Sequence, residues 1–286
     1  MGSLTENAAL VALLRCDRRP PHQYAHLVEE AASAVAILEQ EEGVLWPLTD
    51  LSAIEQEIEG WSDRGMRLIT VLDQHYPDNL RTVHDRPPLI FVAGRLAPID
   101  ARSIAVIGTR RPSGEGVRAA KAIARHLVAS GFTVASGLAA GIDTAAHAAA
   151  LTAGGRTVAV IGTGLKLTYP AQNAALQRRI AQECAVISQF WPDDPPTTRS
   201  FPRRNALMSG LALGTVVVEA TSTSGARVQT RLALAHARPV FLTNRLADSE
   251  PWARELARRP GVYVIGDPQE ITETVERLSS SDALTT

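Results

Sequence analysis

The chain has 286 residues, 45% of them hydrophobic and 21% charged, with a formal net charge of -1 at pH 7. That balance belongs to a soluble globular protein and excludes a disordered chain, which would have too little apolar surface to bury. It also excludes uniform basicity as a means of holding nucleic acid, so any basic face has to be sought in how charge is distributed along the chain.

Cys16 and Cys184 are the only cysteines, too few for a disulfide framework or a cysteine-type zinc site, and they fit a reducing interior. The N-terminus lacks a basic stretch followed by an apolar core, and no run of about 18 apolar residues occurs. A cytoplasmic chain with no membrane partner is expected. Residues 1–62 read as a helical module, with "NAALVALLR" and "YAHLVEEAASAVAILEQEEG" at helical spacing on either side of "CDRRPPH", and hold no catalytic constellation. Residues 63–102 read as a connector, two short β-branched runs around a proline-rich turn.

From Ser103 the pattern becomes regular. The apolar runs "SIAVIG", "FTVASG", "RTVAVIG", "CAVISQF", "TVVVEA", "PVFLTN" and "VYVIG" alternate with helical stretches. Short continuous apolar strands, each followed by a helix, predict an α/β fold over residues 103–278, with a doubly wound, mostly parallel sheet covered on both faces. Residues 279–286, polar throughout most of their length, are expected to form a disordered tail. Ligands of such sheets bind outside the carboxyl ends of the strands, so candidate residues are those that follow each run.

After the first run comes "GTRRPSGEG". Gly108 permits a tight exit, and Thr109, Arg110 and Arg111 border a helix start where backbone amides attract anions. The bland reading is a glycine-rich turn with surface arginines. G-x-G-x-x-G is absent here, and "GTGLKL" fails at its last glycine position, which argues against a nicotinamide cofactor. After the second run, "SGLAAGIDTAAH" places Gly137 at a turn and Asp143 and His147 four apart on one helix face. Structural roles, a carboxylate bracing the turn and a packed imidazole, compete there with a proton-transfer pair, and no third metal ligand stands at a telling spacing.

After the third run, "AVIGT" over Ala159–Thr163 repeats Ala105–Thr109 letter for letter and brings Gly162, Lys166 and Tyr169 to a strand end. Tyr169 has two readings, a platform for a base or a ring that packs its loop. Pro195 to Gly214 contains no acidic residue, yet it holds Arg199, Arg203 and Arg204 with Phe201 among them and Asn205 next in line. A helix start prefers acidic side chains, so adjacent arginines there ask for an outside anion unless they are simply solvated. Arginine forks for phosphates beside a ring for a base are what gripping an unpaired strand requires. After the fifth run, Glu219 and the Ser224-Gly225 turn suit a sugar hydroxyl and a phosphate, or else a capped helix start with Glu219 in a structural hydrogen bond.

"GTRRPSGEG", "ASGLAAGIDTAAH", "GTGLKLTYPAQN", "RSFPRRNALMSGLALGTVVVEA" and "SGARVQTRLALAHARPVF" together resemble the DNA-processing protein A (Smf) family in order and spacing, over Ser103 to about Thr243. The weaker "YPDNLRTVHDRPPLIFVAGRL" agrees with the connector. The resemblance implies an extended Rossmann-like domain that binds single-stranded DNA without sequence preference, usually as a homodimer, and hands it to a RecA-type recombinase in natural transformation. It assigns the DNA pocket to Gly108, Thr109 and Arg110 and to Arg199, Phe201, Arg203, Arg204 and Asn205. It implies no cofactor, no metal and no catalytic residue. The chain departs from the family's pattern at "CDRRPPH", where a helix-hairpin-helix turn is usual, at Ala140 in place of an arginine, and at Ala226 in "SGA"; no winged-helix segment is expected after the domain. Those departures admit a specialised role such as phage defence. The competing expectation is a nucleotide-binding protein or a phosphoribohydrolase-like enzyme working through Glu219 and Arg110, although "VVVEATSTSG" lacks the glycine-rich phosphate turn such chemistry needs.

Overall fold

The computed structural model describes residues 3–41 and 50–283, with side chains through residue 280. Helices α1 (Leu4–Arg15), α2 (Pro21–Ala31), α3 (Ala34–Glu41) and α4 (Leu51–Asp63) open the chain. Every residue of α1 from Asn7 to Leu13 is buried, so it serves as the centre of the module, against α3 and α4. The long second helical stretch of the sequence is broken in two. Ala32 takes a left-handed conformation at φ 50°, and the Glu6 carboxylate accepts from Ser33 Oγ at 2.8 Å and from Val35 N at 3.2 Å, which seals the start of α3.

A nine-stranded sheet follows, with strands β1 (Met66–Thr70), β2 (Leu89–Gly94), β3 (Ser103–Ile107), β4 (Thr133–Ser136), β5 (Thr157–Val160), β6 (Ala185–Ser188), β7 (Gly214–Val217), β8 (Val240–Thr243) and β9 (Val262–Ile265). Their spatial order is β1-β2-β6-β5-β4-β3-β7-β8-β9. The seven apolar runs are β3 to β9, and all pairings among them are parallel. The segment expected as a connector is part of the same sheet, since β1 pairs antiparallel with β2, and β2 antiparallel with β6. Its buried edge is knitted in by Trp61, whose ring meets Phe91 edge-on at 5.1 Å and Trp191 at 6.1 Å.

The helices on the sheet are α5 (Asp78–Arg81), α6 (Gly114–Ala129), α7 (Ile142–Thr152), α8 (Ala174–Glu183), α9 (Ser200–Leu211), α10 (Ala226–Ala235), α11 (Asn244–Ser249), α12 (Pro251–Leu256) and α13 (Gln269–Ala283). Side chains of β3 alternate between two cores. Ile104 and Val106 join Ile123, Leu127 and Ala146 of α6 and α7, while Ala105 and Ile107 join Leu207, Met208 and Ala233 of α9 and α10. The expected tail is helical as far as Ala283, with the Ser279 and Ser280 hydroxyls donating back to the carbonyls of Val275 and Glu276 at 2.9 Å each; 284–286 lie outside the described residues.

The chain runs from β3 towards β6 on one side and resumes with β7 on the other side of β3. The strand order therefore reverses between β3 and β7, and the two loops that leave their carboxyl ends bound a crevice.

Candidate nucleic-acid interface

The loop after β3 is pinned from below. Thr109 N donates to Glu219 O at 2.6 Å, and Thr109 O accepts from Ile142 N at 3.2 Å. Gly108 is required there, since a Cβ would come within 2.7 Å of Glu219 O and 2.6 Å of the Ile142 side chain. The Glu219 carboxylate accepts from Ser113 Oγ at 2.7 Å and from Ser113 N at 3.0 Å, and Ser113 Oγ in turn accepts from Gly116 N at 3.0 Å to cap α6. Glu219 is thus occupied in shaping the loop, and its two donors leave it poorly placed to meet a sugar hydroxyl. What the loop leaves at the surface is Arg110 and Arg111, both exposed, with no carboxylate paired to either among the described residues.

The turn after β4 is organised by two buried side chains, Asp143 and Arg204. Asp143 accepts from Gly137 N at 3.1 Å and from Ala139 N at 3.3 Å. Burial pushes its carboxyl above the usual range, while the nearby Arg204 charge and those two amides pull the other way. Arg204 is only 7% exposed, donating from Nη1 to the carbonyls of Gly137 and Val160, the latter at 2.9 Å, and from Nε to Asn205 Oδ1 at 3.0 Å. A Cβ at Gly137 would fall on the guanidinium itself. Arg204 therefore ties α9 to the ends of β4 and β5. His147 lies deeper, fully buried, with Nδ1 2.6 Å from Thr157 Oγ1, and burial pulls its pKa down to about 3, so it is a neutral packed imidazole far from proton-transfer duty at neutral pH.

Above this floor three side chains stand in a row. The Arg110 guanidinium carbon lies 5.5 Å from the Phe201 ring centroid, and the Phe201 ring lies 5.7 Å from that of Tyr169, tilted by 46°. Tyr169 is among the exposed large side chains, at 43%. Gly162 makes room for the row, as a Cβ there would approach Phe201 Cδ1 to 3.0 Å. Two cavities flank Phe201 and share Arg110 and Arg204. The smaller, about 170 Å³, lies toward Tyr169, Gly162 and Thr163, and the larger, about 700 Å³, opens over the switch point between Thr109 and the Thr223-Ser224-Gly225 turn.

The structure separates the remaining candidates. Arg203 leaves the row: its guanidinium stacks 5.1 Å from the Phe190 ring, and it lines a different depression with Gln189 and His22, because successive residues on a helix point about 100° apart. Arg199 is exposed at the N-cap of α9, where it lines neither cavity. Lys166 is paired with Asp193 at 2.7 Å. Asn205 is buried beside Arg204 and lines the larger cavity. Two residues escape sequence reasoning. Gln229 on α10 is 1% exposed, lines the larger cavity, and has neither amide atom hydrogen-bonded; Thr163 Oγ1, at the smaller cavity, is likewise buried without a partner. Gln229, a lone polar residue inside a helix pattern, gives no sign of facing inward, whereas Thr163 closes the repeated "AVIGT" glycine exit, which was the signal that could have found it.

A serine-histidine-aspartate chain also occurs, with Ser209 Oγ 2.7 Å from His236 Nδ1 and His236 Nε2 2.7 Å from Asp85 Oδ1. Ser209 is fully buried, so no substrate reaches it, and the chain braces α9 and α10 against the loop before β2.

Residues 67–276 match the model of the DNA recombination-mediator protein A family. The Smf protein of Escherichia coli is 36% identical over 211 residues, covering 73% of this chain and 56% of that one. The DNA processing protein of Streptococcus pneumoniae is 40% identical over 172 residues, 60% of this chain and 61% of its own length, and Smf of Synechocystis is 38% identical over 190 residues, 65% and 48%. The chain thus spans about half to three fifths of the length of these curated relatives. The crystal structure of DNA processing protein A from Streptococcus pneumoniae superposes with a TM-score of 0.76 at 28% identity, over 95% of this chain and 97% of that one. DNA processing protein A from Helicobacter pylori, described for its single-stranded DNA binding mode, superposes at 0.65 with 26% identity, over 73% and 96%. No described helix is long and apolar enough to cross a membrane.

Proposed function

Because the chain belongs to the DNA recombination-mediator protein A family, we propose that it binds single-stranded DNA, without regard to sequence, over the carboxyl ends of β3, β4 and β5. The observation that carries this reading is the row of Arg110, Phe201 and Tyr169 beside two cavities at the switch point. Arg110 and Arg111 neutralise phosphates, with Arg199 at the rim, while the Phe201 and Tyr169 faces receive unpaired bases; every base has such a face, so no sequence preference arises. Arg204 and Glu219 hold the floor in shape. Delivery of the strand to a RecA-type recombinase, self-association into a homodimer, and service in transformation or in phage defence belong to the same reading. No bond is made or broken in it.

Fluorescence anisotropy with a labelled oligodeoxythymidylate and its duplex at two salt concentrations tests it. Preference for the single strand is expected, with log K falling against log salt by about 0.7 for each phosphate neutralised. Arg110→Ala is expected to remove about one such increment, and Phe201→Ala about 1–3 kcal/mol of stacking. A Phe201→Ala, Arg110→Ala double variant that binds as the parent does would sink the assignment.

A further inference from the structure

Three side chains able to ligate a metal meet where the segment between α5 and β2 lies against α9 and the end of α10, and none of them lines the two strand-end cavities. The ligand atoms of His84, Asp85 and His236 all lie within 4.8 Å of one another. His84 is exposed, Asp85 is half-buried and the His236 side chain is fully buried, so the cluster has a firm inner wall and one side open to solvent. The segment that carries His84 and Asp85 is held close: a Cβ at Gly210 of α9 would come within 2.8 Å of the Leu80 side chain and 3.1 Å of Val83. The His84 ring already stands edge-on to that of His236, with centroids 5.5 Å apart.

The hydrogen bonds of the cluster leave one position for a cation. Ser209 Oγ donates its only proton to Ala206 O at 3.2 Å, so at 2.7 Å it accepts from His236 Nδ1–H. The Nε2 lone pair of neutral His236 then faces Asp85 Oδ1, itself an acceptor, at 2.7 Å. Two acceptors that close need a proton or a metal ion between them. A ligating histidine commonly has this arrangement, one nitrogen donating to an oxygen partner and the other turned to the metal. The guanidinium groups that flank the cluster in sequence are directed elsewhere, Arg86 to Glu29, and Arg238 to Asn79 O at 3.1 Å and Thr82 Oγ1 at 2.9 Å.

We propose that His84, Asp85 and His236 form a site for a divalent ion of the zinc class, ligated by His236 Nε2, an Asp85 oxygen and a His84 ring nitrogen, with water in the fourth position. Two imidazoles and one carboxylate suit Zn²⁺, whose tetrahedral ligand atoms stand about 3.3 Å apart at bond lengths of ~2.0–2.1 Å. Asp85 and His236 open by about half an ångström to admit it, and the exposed His84 ring swings in. Where a proton lies between the pair, the ion takes its place and the proton leaves to solvent. Asp85 and His236 are 151 positions apart, so the bound ion cross-links the segment before β2 to the end of α10. The strand-binding row takes no part, and metal uptake is expected whether or not the chain grips DNA.

The test is calorimetric titration of the full chain with Zn²⁺, after chelator treatment and dialysis, alongside His84→Ala and Asp85→Asn. His84→Ala removes an exposed ring and is expected to melt with the parent when chelator is present. The parent is expected to take up one equivalent of zinc, and each variant to bind it at least about ten-fold more weakly, the least that loss of even an outer partner costs. Zinc at about 100 times its Kd should raise the parent's melting temperature by roughly 5 °C and leave that of His84→Ala nearly unmoved. Co²⁺ gives an independent reading, because strong visible absorption marks tetrahedral ligation; the band is expected in the parent and lost in His84→Ala. A parent that takes up no zinc overturns the inference. So does a His84→Ala protein that binds zinc, and melts with it, as the parent does, since the ion would then sit on other surface histidines.

Discussion

Replacing Arg204 with methionine puts the distinction between floor and ligand contact to the test. The guanidinium makes three hydrogen bonds, to the carbonyls of Gly137 and Val160 and to Asn205 Oδ1, and it is the positive charge beside buried Asp143. Hydrogen bonds to a charged group contribute about 1.5–3 kcal/mol each, which sets a gross loss near 4.5–9 kcal/mol. Methionine recovers part of that, because the guanidinium no longer has to be desolvated. The net expectation is about 3–5 kcal/mol, at the low end of that gross loss, because the acceptors left behind stay buried. At about 2 °C for each kcal/mol in a chain of this size, the melting temperature falls by roughly 6–10 °C. Lysine rescues little, since one ammonium on a flexible stem cannot span two strand ends and Asn205. Adding Asp143→Asn to the methionine variant is expected to return some of the stability, because the orphaned carboxylate is what the loss leaves most exposed to penalty. The assay is calorimetric melting of the four proteins of the cycle, with urea titration as a second measure. A methionine variant that melts with the parent yet no longer binds oligonucleotide would refute the argument and return Arg204 to the phosphate contacts.

Acid stability is expected to depend on His147: with a folded pKa of about 3 against 6.5 unfolded, the unfolded chain takes the proton first, so stability is complete above about pH 6.5 and is lost as pH falls towards 3. Urea titrations at pH 7 and pH 5 should differ by about 2 kcal/mol from this residue, and the difference should vanish in His147→Gln. Gly162→Val should displace Phe201 and lower single-strand affinity by five-fold or more, with far less effect on duplex binding; equal loss on both would show that the row does not receive bases. Glu219→Ala strands the Ser113 amide and hydroxyl, and should cost about 1–3 kcal/mol in denaturant titration. If instead the parent releases free base from nucleoside monophosphates and Glu219→Gln abolishes the release, the binding-only reading gives way to the enzyme.

The alternation of seven apolar runs with helices, read from the chain alone, settles a parallel sheet covered on both faces, because a strand with no polar face can be buried only that way. The glycine exits after β3 and β5 are legible for a similar reason, as each forbids a side chain where two segments meet. Strand order is a different matter. That β7 lies beside β3, and so brings the Glu219 loop against the Arg110 loop, depends on pairings between residues more than a hundred positions apart, for which no local signal exists. The same holds for the pair that looked alike in "FPRRN": adjacent arginines share a charge and a neighbourhood in sequence, but a helix turns them apart, so one faces Phe190 and the other supports the floor. Sequence thus determined which residue types gather at the strand ends. Only the packed chain decided which of them stay free to meet an anion, because burial and internal hydrogen bonds, not identity, determine whether a charge is available.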